Sequence, residues 1–216
     1  MLTRNRFLLL LGSFVLLLFW FYYPVRSVIV IGRFNSLDKD KIYQTLNKNL
    51  STGVYSLSLP DIQRQLLTLS EIEDAKVWRC WPGDLIVSLK ARDPFVRYFA
   101  GGFVDKSGVL FYPSKNLYAK EQLPILNVDK NFLFEGTSLL LGMQRVLGND
   151  LVINSLRFSP GVGWEVSMSK NIKIMLPQKK SLFLFDKFIK HRKAIRRFHD
   201  ISVDLRYLNG FAVKNI

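Results

Sequence analysis

The side chains that could carry catalysis or bind a metal are few and widely spaced in this sequence. The two histidines, His191 and His199, lie within a run of lysines and arginines, and their spacing of eight places them about 80° apart on a helix. A hydrolase or transferase needs a nucleophile with a base, a metal set or paired carboxylates. Four aspartates fall in separate segments without a pairing signature: Asp74, Asp84, Asp93 and Asp105. The sequence therefore predicts a protein that is not an enzyme and holds no metal or cofactor.

Two further features contain residue types that could take part in binding or catalysis, and structural roles are favoured for both. The segment Gly161-Val162-Gly163-Trp164 contains glycines without phosphate-loop spacing, so it predicts a turn that leads into a strand. Cys80 is the single cysteine, which excludes an internal disulfide. We expect Cys80 to be a small buried apolar residue.

Residues 7–23 form an apolar run without a charge, which predicts a transmembrane helix about 25 Å long. The alternative is a cleaved signal peptide, which would have a shorter apolar region ending in small residues. Arg4 and Arg6 precede the run and only Arg26 follows closely, so residues 1–6 are expected in the cytoplasm and the remainder outside. This predicts a single-pass, type II protein of the inner membrane. The expected anchor residues include Phe7, Leu10, Phe14, Leu17, Trp20 and Tyr23.

A formal net charge of +14 predicts attraction to anionic surfaces. Eight of the cations are concentrated between positions 179 and 197: Lys179, Lys180, Lys187, Lys190, Arg192, Lys193, Arg196 and Arg197. They are consistent with a surface for an acidic protein or phospholipid, but a solvated helix face is favoured. An outward-facing, membrane-tethered domain makes nucleic acid the least favoured partner.

The elements that follow the apolar run divide into two regions, 24–93 and 94–216. The first predicts strand, helix, helix, strand, strand, because a β-branched run at 28–31 precedes two segments with apolar residues at helical spacing, and a hairpin signal follows. The second predicts short strands around 102–111, a helix at 139–147 and strands at 151–158, 164–168 and 172–176. A cationic helix at 184–198 and a terminal strand or hairpin at 203–213 complete an α+β protein with a mainly antiparallel second domain.

Three stretches of the chain resemble the bacterial cell-division family FtsQ/DivIB. They read AKVWRCWP at 75–82, FVDKSGVLF at 103–111 and VDLRYLNGFAV at 203–213. The third is the most specific of the three. The resemblance implies a POTRA domain over 24–93 and the β domain of the family over 94–216.

The resemblance also implies a function and partners. It implies a scaffold in the divisome, enriched at the division septum, whose terminal strand receives a strand from the small coiled-coil protein FtsB, itself paired with FtsL. Arg206 and Tyr207 are neighbours whose side chains point to opposite sheet faces, so one of them can pack inward while the other meets the partner. The residues expected to bind the partner are Val203, Asp204, Leu205, Arg206, Tyr207, Asn209, Gly210, Phe211, Ala212 and Val213.

Two other functions stay open at this point. One is a POTRA-bearing component of envelope assembly or translocation that handles unfolded chains. The other is a membrane-tethered binder of anionic envelope polymer. A septal band in the cell would favour the divisome scaffold, and uniform envelope staining would favour either alternative.

Overall fold

The computed structural model describes residues 11–12, 23–33, 37–47, 50, 53–113, 122–148, 151–192, 199–207 and 210–216. The chain divides into two compact units, with the main boundary between Arg92 and Asp93. Within the described ranges, no helix combines the length and the apolarity needed to cross a membrane. The expected anchor residues lie outside these ranges, except Tyr23: Phe7, Leu10, Phe14, Leu17 and Trp20.

The first unit has the predicted order of elements. It contains β1 (Ser27–Arg33), α1 (Lys39–Asn47), α2 (Leu59–Leu67), β2 (Ile72–Cys80) and β3 (Asp84–Ala91). The sheet order is β1-β3-β2, in which β1 is parallel to β3 and β2 is antiparallel to it. Parallel neighbours need a long crossover, and the two helices lie on the chain that joins β1 to the β2–β3 hairpin. The prediction of a β-α-α-β-β unit is confirmed.

The core of the first unit lies between the helices and one face of the sheet. Ile42 and Leu46 of α1 and Ile62 and Leu66 of α2 are buried, each pair at the i, i+4 spacing of one helical face. They belong to the same core cluster as the alternating β3 residues Leu85, Val87 and Leu89. Full burial of one such side chain contributes about 1.5–3 kcal/mol relative to exposure.

Two residues of the AKVWRCWP stretch take positions that follow from the strand alternation. Arg79 donates from Nε to the carbonyl of Val54 at 2.8 Å and from Nη2 to that of Leu57 at 2.5 Å, so it fastens the loop before α2. Cys80 is exposed, and the expectation of a buried cysteine was wrong. The reason is the period of two in a strand: Ala75 and Val77 face the helices, so position 80 is out of phase with them.

The described residues of the second unit form one mixed sheet and two α-helices. Its strands are β4 (Val96–Tyr98), β5 (Phe103–Val104), β6 (Leu110–Phe111), β7 (Ile125–Asn127), β8 (Ile153–Ser159), β9 (Gly163–Met168), β10 (Ile172–Leu176), β11 (Ile201–Asp204) and β12 (Ala212–Asn215). The order among these described strands is β12-β11-β10-β9-β8-β7-β4-β5-β6. The pairs β4/β7, β7/β8 and β10/β11 are parallel and the others antiparallel. The helices are α3 (Leu133–Leu147) and α4 (Ser181–His191).

Several elements differ from their predicted bounds. Helix α3 begins at Leu133, six residues before the predicted start. Its first turns are part of the packed face, since Gly136 is buried and a Cβ at this position would lie 2.9 Å from Leu126 Cδ1. Helix α4 begins at Ser181, and residues 193–198 of the predicted cationic helix lie outside the described ranges. The three-residue strands β4 and β7 were not predicted, since so short a segment carries little alternation.

The FVDKSGVLF stretch forms the β5–β6 hairpin. The carboxylate of Asp105, a buried residue, accepts the backbone N–H groups of Ser107 and Val109, both at 2.9 Å. Gly108 has φ +81°, and a Cβ there would lie 2.7 Å from the Cα of Phe134. The aspartate and the glycine of this motif therefore have structural roles.

Candidate protein-binding edge

Strand β12 is the outermost strand at one end of the second sheet. It pairs antiparallel with β11, and the described strands provide no neighbour on its other side. All four of its residues are exposed. An unpaired edge of this kind presents main-chain donors and acceptors to which another strand can add.

The hydrogen bonds of β11 determine which β12 groups point outward. Leu205 N–H donates to the carbonyl of Met175 at 2.9 Å, so the odd-numbered residues of β11 direct their main-chain groups to β10. Ile216 N–H donates to the carbonyl of Asp200 at 2.9 Å, so the even-numbered residues after 211 direct theirs to β11. Because these directions alternate along a strand, the N–H and C=O groups of Val213 and Asn215 face away from the sheet.

Aromatic contacts hold the chain just before β12 against α4. The rings of Phe211 and Phe188 lie 5.4 Å apart between centroids at an interplanar angle of 81°. Phe188 is buried and Phe211 is about half exposed. Val213 lies directly opposite Val203, a fully buried residue, so the two side chains share one face of the sheet. The edge is therefore positioned by the packed helix and remains partly open.

The residues expected to bind a partner do not all reach the surface. Val203 and Leu205 are buried in the core of the second unit, and Asp204 is half-buried. Asn209 lies outside the described residues. Exposed positions are Arg206, Tyr207, Gly210, Phe211, Ala212 and Val213. Neither Arg206 nor Tyr207 packs inward, because the inward position of this segment is taken by Leu205.

Asp204 and Arg206 form a bidentate ion pair beside the edge. Arg206 donates from Nε to Oδ1 at 2.9 Å and from Nη2 to Oδ2 at 2.7 Å, and its own backbone N–H donates to Oδ1 at 3.0 Å. The side-chain hydrogen bonds from Arg206 lower the pKa of Asp204, and the same bonds raise the pKa of Arg206. The aspartate is thus held as an anion, and the guanidinium has a defined orientation.

A shallow cleft of about 390 Å³ opens next to this ion pair. It is lined by Gly161, Val162, Gly163, Pro177, Gln178, Asp204, Arg206 and Tyr207. Its floor requires glycine at 163, where φ is +104° and a Cβ would lie 2.2 Å from the carbonyl oxygen of Leu176. Tyr207 is 60% exposed and supplies an aromatic ring at the cleft. The predicted turn at 161–163 is confirmed, and its place beside Asp204 was not foreseen.

The histidines and the basic helix take surface positions. His191 Nδ1 lies 2.7 Å from the carbonyl of Lys187, and His199 Nδ1 lies 2.8 Å from Asp200 Oδ2. In the described part of the chain, no three His, Cys, Asp or Glu residues are grouped as a metal site would require. On α4, Phe185 and Phe188 are buried, and the exposed Lys190 pairs with Asp186 at 2.7 Å.

Comparison with known proteins gives the family. The model of the POTRA domain, FtsQ-type, matches residues 23–92, and the model described as "Cell division protein FtsQ/DivIB, C-terminal" matches residues 97–209. The chain is similar to the cell division protein FtsQ of Allochromatium vinosum, with 23% identity covering 88% of this chain and 77% of that protein. It is 27% identical to the FtsQ of Shewanella oneidensis, with coverages of 88% and 73%. The FtsQ of Rickettsia prowazekii is 24% identical, with coverages of 89% and 72%.

The two domain models cover the first unit and most of the second, and the second model alone matches more than half of the chain. The first unit is a POTRA domain, and the whole is an α+β protein. The chain belongs to the FtsQ/DivIB family of cell-division proteins.

Proposed function

We propose that this protein is a non-catalytic divisome scaffold of the inner membrane. Residues 7–23 anchor it, residues 1–6 lie in the cytoplasm, and the POTRA and β domains lie outside the membrane. There it recruits the coiled-coil protein FtsB, together with FtsL, to the division septum. The open β12 edge is the single observation that carries the proposal, because it offers a strand-addition site in a member of a division family.

The outward groups of β12 support binding by strand addition. A partner strand that bonds the N–H and C=O groups of Val213 and Asn215 would gain about 2–6 kcal/mol in total, at 0.5–1.5 kcal/mol for each hydrogen bond. Tyr207 and Phe211 flank the same segment and are exposed. Buried aromatic anchors at a contact add about 1–3 kcal/mol each. Main-chain bonds give affinity, and these rings would give specificity.

Cell imaging combined with partner capture tests the proposal. A fluorescent fusion to the full chain is expected to form a septal band, and crosslinks from β12 are expected to capture FtsB. A fusion that stains the envelope uniformly, with no FtsB crosslink from β12, would contradict the proposal. That result would favour a component of envelope assembly or a binder of anionic envelope polymer.

A further inference from the structure

The tip of the β2–β3 hairpin, residues 81–83, exposes an unusual amount of apolar surface. Trp81 is 80% exposed, the largest value for a large apolar side chain among the described residues. Burial of a tryptophan is worth several kcal/mol, so a ring left this open at the end of a hairpin calls for a physical explanation. The contacts between the tip and the start of the first unit explain this exposure.

The tip contacts Tyr23, which ends the apolar run, through Gly83, and two hydrogen bonds of the neighbouring chain fix this arrangement. Arg26 N–H donates to the carbonyl of Gly83 at 2.9 Å, and Val54 N–H donates to the carbonyl of Tyr23 at 2.7 Å. A Cβ built on Gly83 would lie 2.6 Å from Tyr23 Cε1, so the tyrosine ring lies directly against the tip. The hairpin tip is therefore in direct contact with the side chain of Tyr23.

From this geometry we propose that the hairpin tip inserts Trp81 into the headgroup layer of the bilayer that holds the anchor. The inference rests on the proposed membrane anchoring of residues 7–23. Trp and Tyr favour the headgroup layer because their rings have an apolar body and a polar edge. If Tyr23 ends the membrane helix in that layer, its contact with Gly83 places Trp81 at the same depth.

The surroundings of the tip suit a lipid surface. On the outer face of the sheet, Trp78, Ile86 and Ile29 form one cross-strand row, and Trp78 and Ile29 are 39% and 45% exposed. The exposed Arg26 adds a cation that phospholipid headgroups attract. The acidic group nearest the tip is Asp84, whose carboxylate accepts a hydrogen bond from Ser27 Oγ at 2.7 Å. Apolar surface thus continues from the tip along the sheet.

Lipid is favoured over a protein as the occupant because of chain continuity. The 17 uncharged residues of the apolar run end at Tyr23, the residue that touches the tip. A bilayer around that run would reach Tyr23 and the tip residue Gly83 that it contacts, whereas a protein would have to displace lipid to reach the tip.

Tryptophan fluorescence of the full chain in vesicles of phosphatidylethanolamine and phosphatidylglycerol tests this inference. The variant Trp20→Phe/Trp78→Phe keeps Trp81 and the buried Trp164, and adding Trp81→Phe gives the Trp164 background. With a nitroxide lipid labelled near the headgroup, the Trp81 emission is expected to be largely quenched and shifted to shorter wavelength. Acrylamide in the water phase is expected to quench it weakly.

A second variant separates this inference from the anchor itself. Trp78→Phe/Trp81→Phe leaves Trp20 and Trp164, and after subtraction of the Trp164 background Trp20 reports on the apolar run. If lipid nitroxides quench Trp20 while Trp81 remains fully accessible to acrylamide, the hairpin inference is overturned and the anchor stands. If Trp20 also escapes lipid quenching, membrane anchoring fails, and the inference fails with it.

Discussion

Replacing Val213 by proline isolates the outward hydrogen bonds of β12. The N–H of Val213 faces away from β11, so Val213→Pro removes a donor from the free edge and leaves the β11–β12 bonds in place. Proline is tolerated at edge positions whose N–H faces solvent. We therefore expect the free energy of unfolding to change by about 0.5 kcal/mol or less, as for most surface substitutions.

Partner binding is expected to respond much more strongly. One lost hydrogen bond removes about 0.5–1.5 kcal/mol, and the ring also obstructs the approach of an adjacent strand. A total of about 1.4–3 kcal/mol corresponds to a roughly tenfold to hundredfold increase in Kd. Val213→Ala keeps the N–H and is the matched control, with a Kd close to that of the unchanged protein.

The assay is the Kd for the extracytoplasmic part of FtsB, measured with the full chain in nanodiscs, together with thermal unfolding of each variant. Lys214→Pro gives a contrast, because the Lys214 N–H points to β11 and its loss is expected to lower Tm as well as binding. A folded Val213→Pro variant that binds FtsB with unchanged affinity would refute strand addition at this edge. The basic face of α4 would then be the next surface to test.

Three further predictions concern the cleft, the ion pair and the anchor. Tyr207→Ala is expected to weaken FtsB binding by about 1–3 kcal/mol, with an unchanged membrane level of this protein because the ring is exposed, and equal binding by wild type and variant would exclude Tyr207 as an anchor. Because the folded pKa of Asp204 is lowered, its pairing with Arg206 stabilises the fold above the unfolded-state pKa near 4, and this stabilisation disappears as pH falls through the folded value. Asp204→Asn should therefore cost about 0.2–1 kcal/mol at neutral pH and less in acid by thermal unfolding, and a cost that did not shrink in acid would contradict the charge argument. A reporter enzyme that works only outside the cytoplasm is expected to be active when it is fused after Ile216. A mature protein that begins near residue 24 would disprove the anchor.

Much of the first unit was predictable because its signals are local. Apolar residues four apart define the inner faces of α1 and α2, and Gly83-Asp84 between two apolar strands predicts the hairpin. The prediction for Cys80 was wrong: it was expected to be buried and is exposed, on the opposite face of the strand from Ala75 and Val77. The family was accessible from local signals, since its three motifs are contiguous stretches. Two of them have clear local roles, in the Arg79 contacts and the Asp105 turn.

The sequence predicted the segment of the proposed binding edge but not which of its residues are accessible. The composition and the charge are read directly from the sequence, and its patterns predicted the order of elements. The resemblance predicted a partner site within 203–213. Which of those residues are accessible depended on contacts with distant segments. Leu205 bonds to Met175, and Arg206 lies beside the 161–163 turn. The outward direction of the Val213 N–H follows from the pairing of β11 between β10 and β12. Strand neighbours and their register arise from packing between segments far apart in the chain, and alternation along one strand cannot specify them.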